Sequence, residues 1–513
     1  MAKKLEKKIG LITLTCIGVG GIIGSGIFAM PAVMGAVAGP GLILGILIAG
    51  IISLFLALSY AELGATYPLE GGTYALPRLA MGNLGGFVTG WGYFIYLFTG
   101  TAAIINIFVV YLGYYIPGLV EKETLTPLGI AIAVAVLWAF TIINIYNVRW
   151  GGVYSVVTTI GKLIPMIFFA LVGLAYFHGD NFFPFMPFGM EGVTLATTLF
   201  FWSYTGFEAL VVPAGEVRNP SRTIPLAMIL TMLVTIFVYL LIAVVFVGML
   251  DWQGLHIAAK SWKDLVLLSS PLANAAHGIS LPWLAVIVTI GAIIATGGSG
   301  GTWVLIQGRM PFAMAEDNLF WSQMSKVHPK FNTPALSLIF TSFLSTLVLV
   351  LIPHFPSVAL IASVAVVLPC AAAVLSLVIL RKTDSAATRP FKIPFVKIFS
   401  AIGFIFATLL IYWASWPWTM VGVLLLLTGY PAFLFVKVRE KEIRRTLWIP
   451  VYLLGILLLS FLGDPKFVFN NFTPWAPQGI FMMPWDVVVL ALFALVIFFW
   501  AYRENAQAKP KIQ

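Results

Sequence analysis

Charge is scarce in this sequence. Only 9% of its 513 residues are Asp, Glu, Lys or Arg, against about 25% in soluble domains. A chain so poor in charge cannot cover a water-facing surface, so a lipid bilayer must cover most of it. Cysteine is scarcer still: Cys16 and Cys370 both lie in apolar stretches, which excludes a disulfide framework and says nothing about redox compartment. The five histidines, at 178, 256, 277, 328 and 354, stand in loops or at the ends of apolar runs. No H-E-x-x-H motif or paired intramembrane aspartate occurs, so neither a metal site nor a cofactor is expected. Long polar stretches are also missing. The longest connections, 251–282, 312–334 and 464–483, are too short for a soluble domain.

What is present is apolar. Hydrophobic residues make up 60% of the chain, with a mean hydropathy of +1.01. Runs of about 20 such residues recur along the whole length, each able to cross a hydrocarbon core of about 30 Å. They are too long and too evenly apolar for barrel strands. The expected fold class is an all-α polytopic membrane protein of about 14 spans, at 9–37, 41–66, 85–116, 127–146, 153–178, 195–214, 224–250, 283–311, 335–352, 357–380, 398–415, 418–437, 448–463 and 484–502. The first run follows MAKKLEKK; it is too long for a signal peptide and lacks a cleavage pattern, so it is read as a retained span.

The net charge of +10 follows this topology and does not form a nucleic-acid patch. With the N-terminus in the cytoplasm, 24 of the 29 lysines and arginines fall on the inner side. Lys122, Lys260, Lys263 and Lys466 fall outside, and Lys162 lies within a span. The positive-inside rule then places both termini, 1–8 and 503–513, in the cytoplasm of a cell membrane. Asn471-Phe-Thr is a glycosylation sequon on the outer side, without meaning in a bacterial chain.

Two spans are interrupted. The first contains GVGGIIGSGIF at 18–28, and the sixth contains WSYTGFEALVVPAGE at 202–216, with Gly206, Pro213 and Gly215. Glycine costs a helix about 1 kcal/mol relative to alanine, so the clusters need a reason. Paired breaks at matching places in two successive groups of five spans point to an inverted-repeat secondary transporter. Where a helix unwinds in hydrocarbon, its freed N–H and C=O groups need partners. The N-terminus of the following half-helix offers N–H donors and partial positive charge to an anion. The preceding half offers carbonyls to a cation. A zwitterionic amino acid fits both: Gly24, Ser25 and Gly26 would present N–H groups to its carboxylate, and carbonyls near Gly21 and Ile22 and from Trp202 through Ser203 to Thr205 would accept from its ammonium. The alternative is close helix packing, for which Gly21-x-x-Gly24 is a small-residue pattern.

At this point the chain resembles the amino acid–polyamine–organocation superfamily of transporters, in motifs nearest its basic amino acid and polyamine branches. The resemblance rests on GxxGSGIFxxP at 21–31, AELGATYPLEGGTYAL at 61–76, FFWSYTGFEAL and GEVRNPSRTIPLA within 200–227, and GRMPFAMAEDNLF at 308–320. It covers residues 9–437, the usual twelve-span core. It implies two inverted five-helix repeats with broken first and sixth helices, here 9–178 and 195–380, followed by spans 11 and 12 at 398–437. The extra pair at 448–502 resembles the fourteen-span cationic amino acid transporter branch and some prokaryotic relatives.

Lys162 and Glu208 are the charged residues set well inside spans, where ionisable groups are functional candidates by default. Lys162 lies about nine residues, or ~14 Å, from the inner end of its helix. The resemblance implies that its ammonium stands where sodium-coupled relatives hold sodium, loading a proton or tying span five to the broken first span. Glu208 resembles the acidic residue that exchangers use in gating and proton sensing; a structural role beside a free N–H or a tyrosine such as Tyr93 is the alternative. Tyr93 and Trp202 are the gating candidates, and Trp303 aligns with a tryptophan that packs on substrate side chains. Glu208 and Trp303 lean towards a cationic amino acid or amine. Glu62, Arg78 and Glu216 read as salt-bridged helix ends.

The expected function is secondary active amino acid transport by alternating access, coupled to protons. Amino acid/amine exchange is the alternative, and a non-transporting nutrient sensor is a weaker one. Substrate, protons and lipid are the implied partners, and no obligate protein partner is evident. Gly297-Gly298-Ser299-Gly300 matches the G-x-S-G of intramembrane serine proteases, but no base lies within reach of Ser299 by sequence, so an enzyme is not expected. Nothing resembles a channel's selectivity filter.

Overall fold

The computed structural model describes residues 9–69, 71–121, 124–146, 151–211, 217–268, 270–436, 443–463 and 477–507, with the side chains of 151–158 excepted. The basic N-terminal segment, Lys122, Arg149, Pro213, Gly215, Glu216, the basic run 437–442, Lys466, the Asn471 sequon and 508–513 lie outside the described residues.

The chain is helical nearly throughout; Val120–Glu121 and Thr124–Leu125 form one short hairpin. Among the described residues, ten helices are long and apolar enough to cross a membrane. Leu11–Ile22, Ala335–Leu351 and Trp418–Phe433 are shorter apolar ones. Each expected run contains helix. The eleventh and twelfth runs are separate, as Val396–Trp413 and Trp418–Leu427.

Several boundaries differ from expectation for local reasons. Gly72–Leu112 is a merged pair of helices hinged at Gly82, whose φ of 84° and ψ of −174° no helix contains. The third span is therefore preceded by a short helix, and it stops at Leu112, short of the expected 116. The eighth span runs on to Glu316 as Pro282–Glu316, so GRMPFAMAE is helix and not loop. The sixth begins earlier, as Gly189–Tyr204.

Satisfaction of buried polar groups shapes the interior. Thr89, Thr99, Thr101 and Thr141 each return their hydroxyl to a carbonyl four residues back, the usual solution where no water is available. The tenth span, Phe355–Thr383, is buried from Phe355 through Leu380 and lies along the third. The fourth and fifth leave Ile142, Ile143, Ile167 and Leu171 exposed, as lipid-facing helices do. The second span (Leu42–Thr66) packs on the seventh (Pro220–Gly248), the third on the eighth, and the fourth on the ninth. The third-on-tenth contact has a counterpart in the eighth on the fifth.

The connections gather on two faces. On one, Leu125 N–H donates to Pro353, His178 N–H to Gly248, and the Lys260 ammonium to Phe183. On the other, Arg218 N–H donates to Ile9, and the ends of spans two, three, eight and ten meet. These are called the first and second face below.

Candidate functional site

The first span is broken as expected. Leu11–Ile22 ends, Ile23 leaves the helix at φ −69° and ψ 95°, and a second helix, Gly26–Ala38, begins after Ser25. The five glycines divide into two sets. A Cβ at Gly18, Gly20 or Gly26 would lie 2.5 Å from Thr231 Oγ1, 2.2 Å from Thr159 Oγ1 or 1.9 Å from Ser203 Oγ. Close packing accounts for these three. Gly21 has nothing within 4 Å, and Gly24 meets only Ser299 Oγ at 3.5 Å and its own chain's Ile22 oxygen. Gly21-x-x-Gly24 is thus no helix-packing pair; these two positions leave space open.

Lys162 reaches the break from the fifth span. Its ammonium donates to Gly20 O at 2.5 Å and Ile23 O at 2.6 Å, and the residue is 2% exposed. At that depth and in that company it does not snorkel. Tyr239 Oη, from the seventh span, stands 3.1 Å from Ile22 O and 2.9 Å from Ser203 O, so one phenol bridges both broken helices. Trp202 O accepts from both the N–H and the hydroxyl of Thr205. The carbonyls of Ile22, Trp202 and Ser203, expected to meet an ammonium, are therefore claimed within the fold, because an uncapped helix end in a low dielectric is costly. The Gly21 carbonyl is different. It accepts no bond among the described residues and lines the cavity. The N–H groups of Gly24, Ser25 and Gly26, all buried, likewise find no acceptor among the described residues.

The sixth span breaks at Thr205-Gly206, followed by a short 3-10 turn, Phe207–Val211. Gly206 has φ +114°, a conformation that side chains disfavour; a Cβ there would also come 3.3 Å from Gly21 O. Glu208 folds back so that its Oε2 accepts from Gly206 N–H at 2.9 Å. Its Oε1 and the hydroxyls of Tyr60 and Tyr96 are buried without a well-formed hydrogen bond among the described residues, with Tyr96 standing against the carboxylate and Tyr60 against Cys370. Tyr60, Tyr93, Tyr96 and Cys370 all stand within electrostatic reach of the carboxylate.

A cavity of about 100 Å³ lies between the two breaks, the fifth span, the third and the eighth. Of the residues expected at the site, Tyr93, Lys162, Gly206, Glu208 and Trp303 line it. Ile22, Gly24, Ser25, Gly26, Trp202, Ser203 and Thr205 are buried and are not among its lining residues, though Gly24 stands against the lining residue Ser299. Gly20, Tyr96, Leu97, Thr159, Gly298, Ser299 and Thr302 line it without having been expected. Nothing in a sequence says which turn of an unbroken helix faces a cavity. Gly20, in the glycine cluster, and Tyr96, one turn from Tyr93, carried a local signal, and Gly298 and Ser299 stood in the G-x-S-G pattern.

The cavity sits on the second-face side of the breaks, bordered by Ile17, Gly18 and Leu210. Aromatic rings shut the opposite end. Trp202 and Trp303 pack at 5.6 Å between ring centroids, and Tyr96 meets them edge-on at 6.0 and 5.1 Å.

At the second face, Arg381 grips Glu62 through two nitrogens, at 2.6 and 2.5 Å, and Ile393 N–H adds a third bond at 2.7 Å. Arg78 pairs with Asp317 at 2.6 Å, and Tyr74 donates to the same carboxylate. Tyr67 donates to Asp384 at 2.8 Å. Burial, and the Asp384 carboxylate it bonds, hold that phenol well above its usual range.

Unwound backbone from two spans, met by buried charge at a cavity between helices of a membrane protein, defines a small-molecule carrier. The chain belongs to the amino acid permease family, whose sequence profile matches residues 9–426. It is 28% identical over 525 residues to the glutamate/serine transporter AimA of Bacillus subtilis (strain 168), covering 99% of this chain and 95% of that one. It is also 28% identical to the aspartate-proton symporter of the same organism, over 97% and 96% of the two chains. The branched-chain amino acid permease BcaP matches at 28% over 82% and 93%. The first two alignments run through the last two spans, so that pair is shared with these relatives. The protein is a multi-pass membrane permease and not an enzyme.

Proposed function

We propose that this permease is a secondary active carrier that takes up an α-amino acid together with protons. The unpaired N–H groups of Gly24, Ser25 and Gly26 carry this reading. A buried half-helix N-terminus with three donors that find no acceptor among the described residues calls for an anion, and the α-carboxylate supplies one. The ammonium then faces the Gly21 carbonyl and Glu208 Oε1 across the cavity. The named substrates of the relatives are acidic, small polar and branched-chain, and none is basic. We therefore assign Glu208 to the ammonium end or to a proton, and not to a basic side chain.

Alternating access follows from two inverted five-helix units, a reading supported by the paired contacts of spans two with seven, three with eight and four with nine. The excess of Lys and Arg supports a cytoplasmic second face, which makes this conformation inward-facing. Lys162, capping the first break, is the proton-coupling candidate, with Glu208 second.

Exchange is the second reading, because Lys162 held by two carbonyls also serves as a fixed tie. Proteoliposomes containing the purified protein separate the two. Uptake of labelled glutamate, serine or leucine into empty vesicles under an inward proton gradient supports symport. Uptake only into vesicles preloaded with amino acid supports exchange. No uptake of any of the three under either condition refutes both.

A further inference from the structure

The helix Pro282–Glu316 carries four hydroxyl side chains. Thr289, Thr296 and Thr302 return theirs to Ala285, Ala292 and Gly298, one turn back. Ser299 does not: its Oγ is buried and has no hydrogen-bond partner among the described residues. The residue is 7% exposed and lines the cavity. Its Oγ stands 3.5 Å from the point where a Cβ on Gly24 would sit. The adjacent N–H groups, from Gly24 to Gly26, are the three without acceptors, and they head a helix of 13 residues.

We propose that Ser299 is a substrate-binding residue whose hydroxyl donates to the α-carboxylate, completing from the eighth span the anion site that the first span begins. The inference rests on the amino acid reading above. Its chemistry follows from sign. The half-helix N-terminus carries partial positive charge and offers only donors, so the ligand atom there is an anionic oxygen. A hydroxyl with its hydrogen unused turns towards that oxygen. Backbone N–H groups alone would hold a carboxylate from one side. A donor on a second element makes the bound carboxylate a bridge between the broken first span and the unbroken eighth.

The test is binding to the purified full-length protein, with L-glutamate, L-serine and L-leucine as probes and serinamide and leucinamide as counterparts that keep the α-ammonium and replace the carboxylate by a neutral amide. A hydrogen bond to a charged group is worth about tenfold or more in affinity. Ser299→Ala is expected to weaken the amino acids by about that factor while changing the amides less than twofold, and Ser299→Thr to restore them. The melting temperature without ligand should not fall in Ser299→Ala, since the hydroxyl bonds nothing in the empty site. Equal weakening of acid and amide, unchanged amino acid binding, or a lower ligand-free melting temperature with no selective loss overturns the proposal. Wild-type protein that binds none of the three amino acids overturns the amino acid reading itself, a failure visible before any variant is made.

Discussion

Lys162 donates its ammonium to the Ile23 carbonyl at 2.6 Å, joining residues 139 apart in the sequence. With Gly20 O as a second acceptor, this side chain does for the end of a half-helix what the next helical turn would have done. Lys162→Met keeps length and removes every donor. Two buried carbonyls then lose charged partners worth about 1.5–3 kcal/mol each. Uptake is expected to fall at least ~10-fold, and whatever uptake remains should no longer respond to a proton gradient. Retained gradient-driven uptake in Lys162→Met vesicles would remove Lys162 from the coupling step.

Glu208 separates structure from titration. Its Oε2 accepts from Gly206 N–H, a bond that the amide oxygen of Gln can keep, while Oε1 makes no well-formed hydrogen bond among the described residues. Glu208→Gln is therefore expected to fold and to bind substrate, with a flattened dependence of uptake on pH. Uptake measured at several external pH values tests this directly. A variant whose pH profile parallels the wild type would reduce Glu208 to a support for the break.

The two breaks were legible because a cluster of glycines weakens a helix inside an apolar run, where an intact helix is otherwise the cheapest backbone. Lys162 and Glu208 were legible because a charge buried in a span is costly unless it has a partner or a task there. What the sequence could not place was occupancy. Ile22, Ser203 and Trp202 have the expected free carbonyls in the chain order, yet Tyr239 reaches over from the seventh span to the first two and Thr205, three residues on, folds back on the third. Ser299 was visible only as part of a protease-like G-x-S-G pattern; its role depends on a hydroxyl left unbonded, which no local pattern encodes. The extension of the eighth span through Pro311 also escaped, since a proline beside charged residues normally reads as a helix end.

At the second face, Arg381 and Glu62 form a pair that is buried unequally. Glu62 is 1% exposed and Arg381 21%. Removing one partner of a buried pair costs about 3–5 kcal/mol, chiefly from the charge left behind. Arg381→Ala strands a fully enclosed carboxylate that keeps only Ile393 N–H. Glu62→Ala leaves a guanidinium that still donates to Ile393 O and reaches solvent. The arginine variant is expected to be the less stable of the two, by detergent melting curves. The reverse order would mean that the guanidinium, and not the carboxylate, bears the desolvation.

Gly100 decides whether the aromatic end of the cavity can shut. It lies one turn beyond Tyr96 on the third span, and a Cβ there would come 2.4 Å from Trp303 Cζ3 and 2.8 Å from Trp202 Cη2. Both contacts are with rigid rings, so the clash cannot be relieved by rotating a flexible tip. At least one indole must move. Trp303 has the cavity on one side, whereas Trp202 is 4% exposed and packed between Tyr96 and Trp303. Gly100→Ala is expected to destabilise this closed arrangement by about 1–3 kcal/mol, the usual cost of overpacking, and so to favour the conformation open to the first face. With Cys16 and Cys370 replaced by serine, a cysteine put in place of the buried Thr198, four residues before Trp202, reports on that opening. Its labelling by a membrane-impermeant thiol reagent should rise several-fold in Gly100→Ala. Adding Trp303→Phe, which shortens the ring over Gly100, should bring labelling back towards the starting value. Unchanged labelling in Gly100→Ala would show that the rings close without needing glycine beneath them. Increased labelling that Trp303→Phe does not reverse would point to general loosening of the third span instead of this contact.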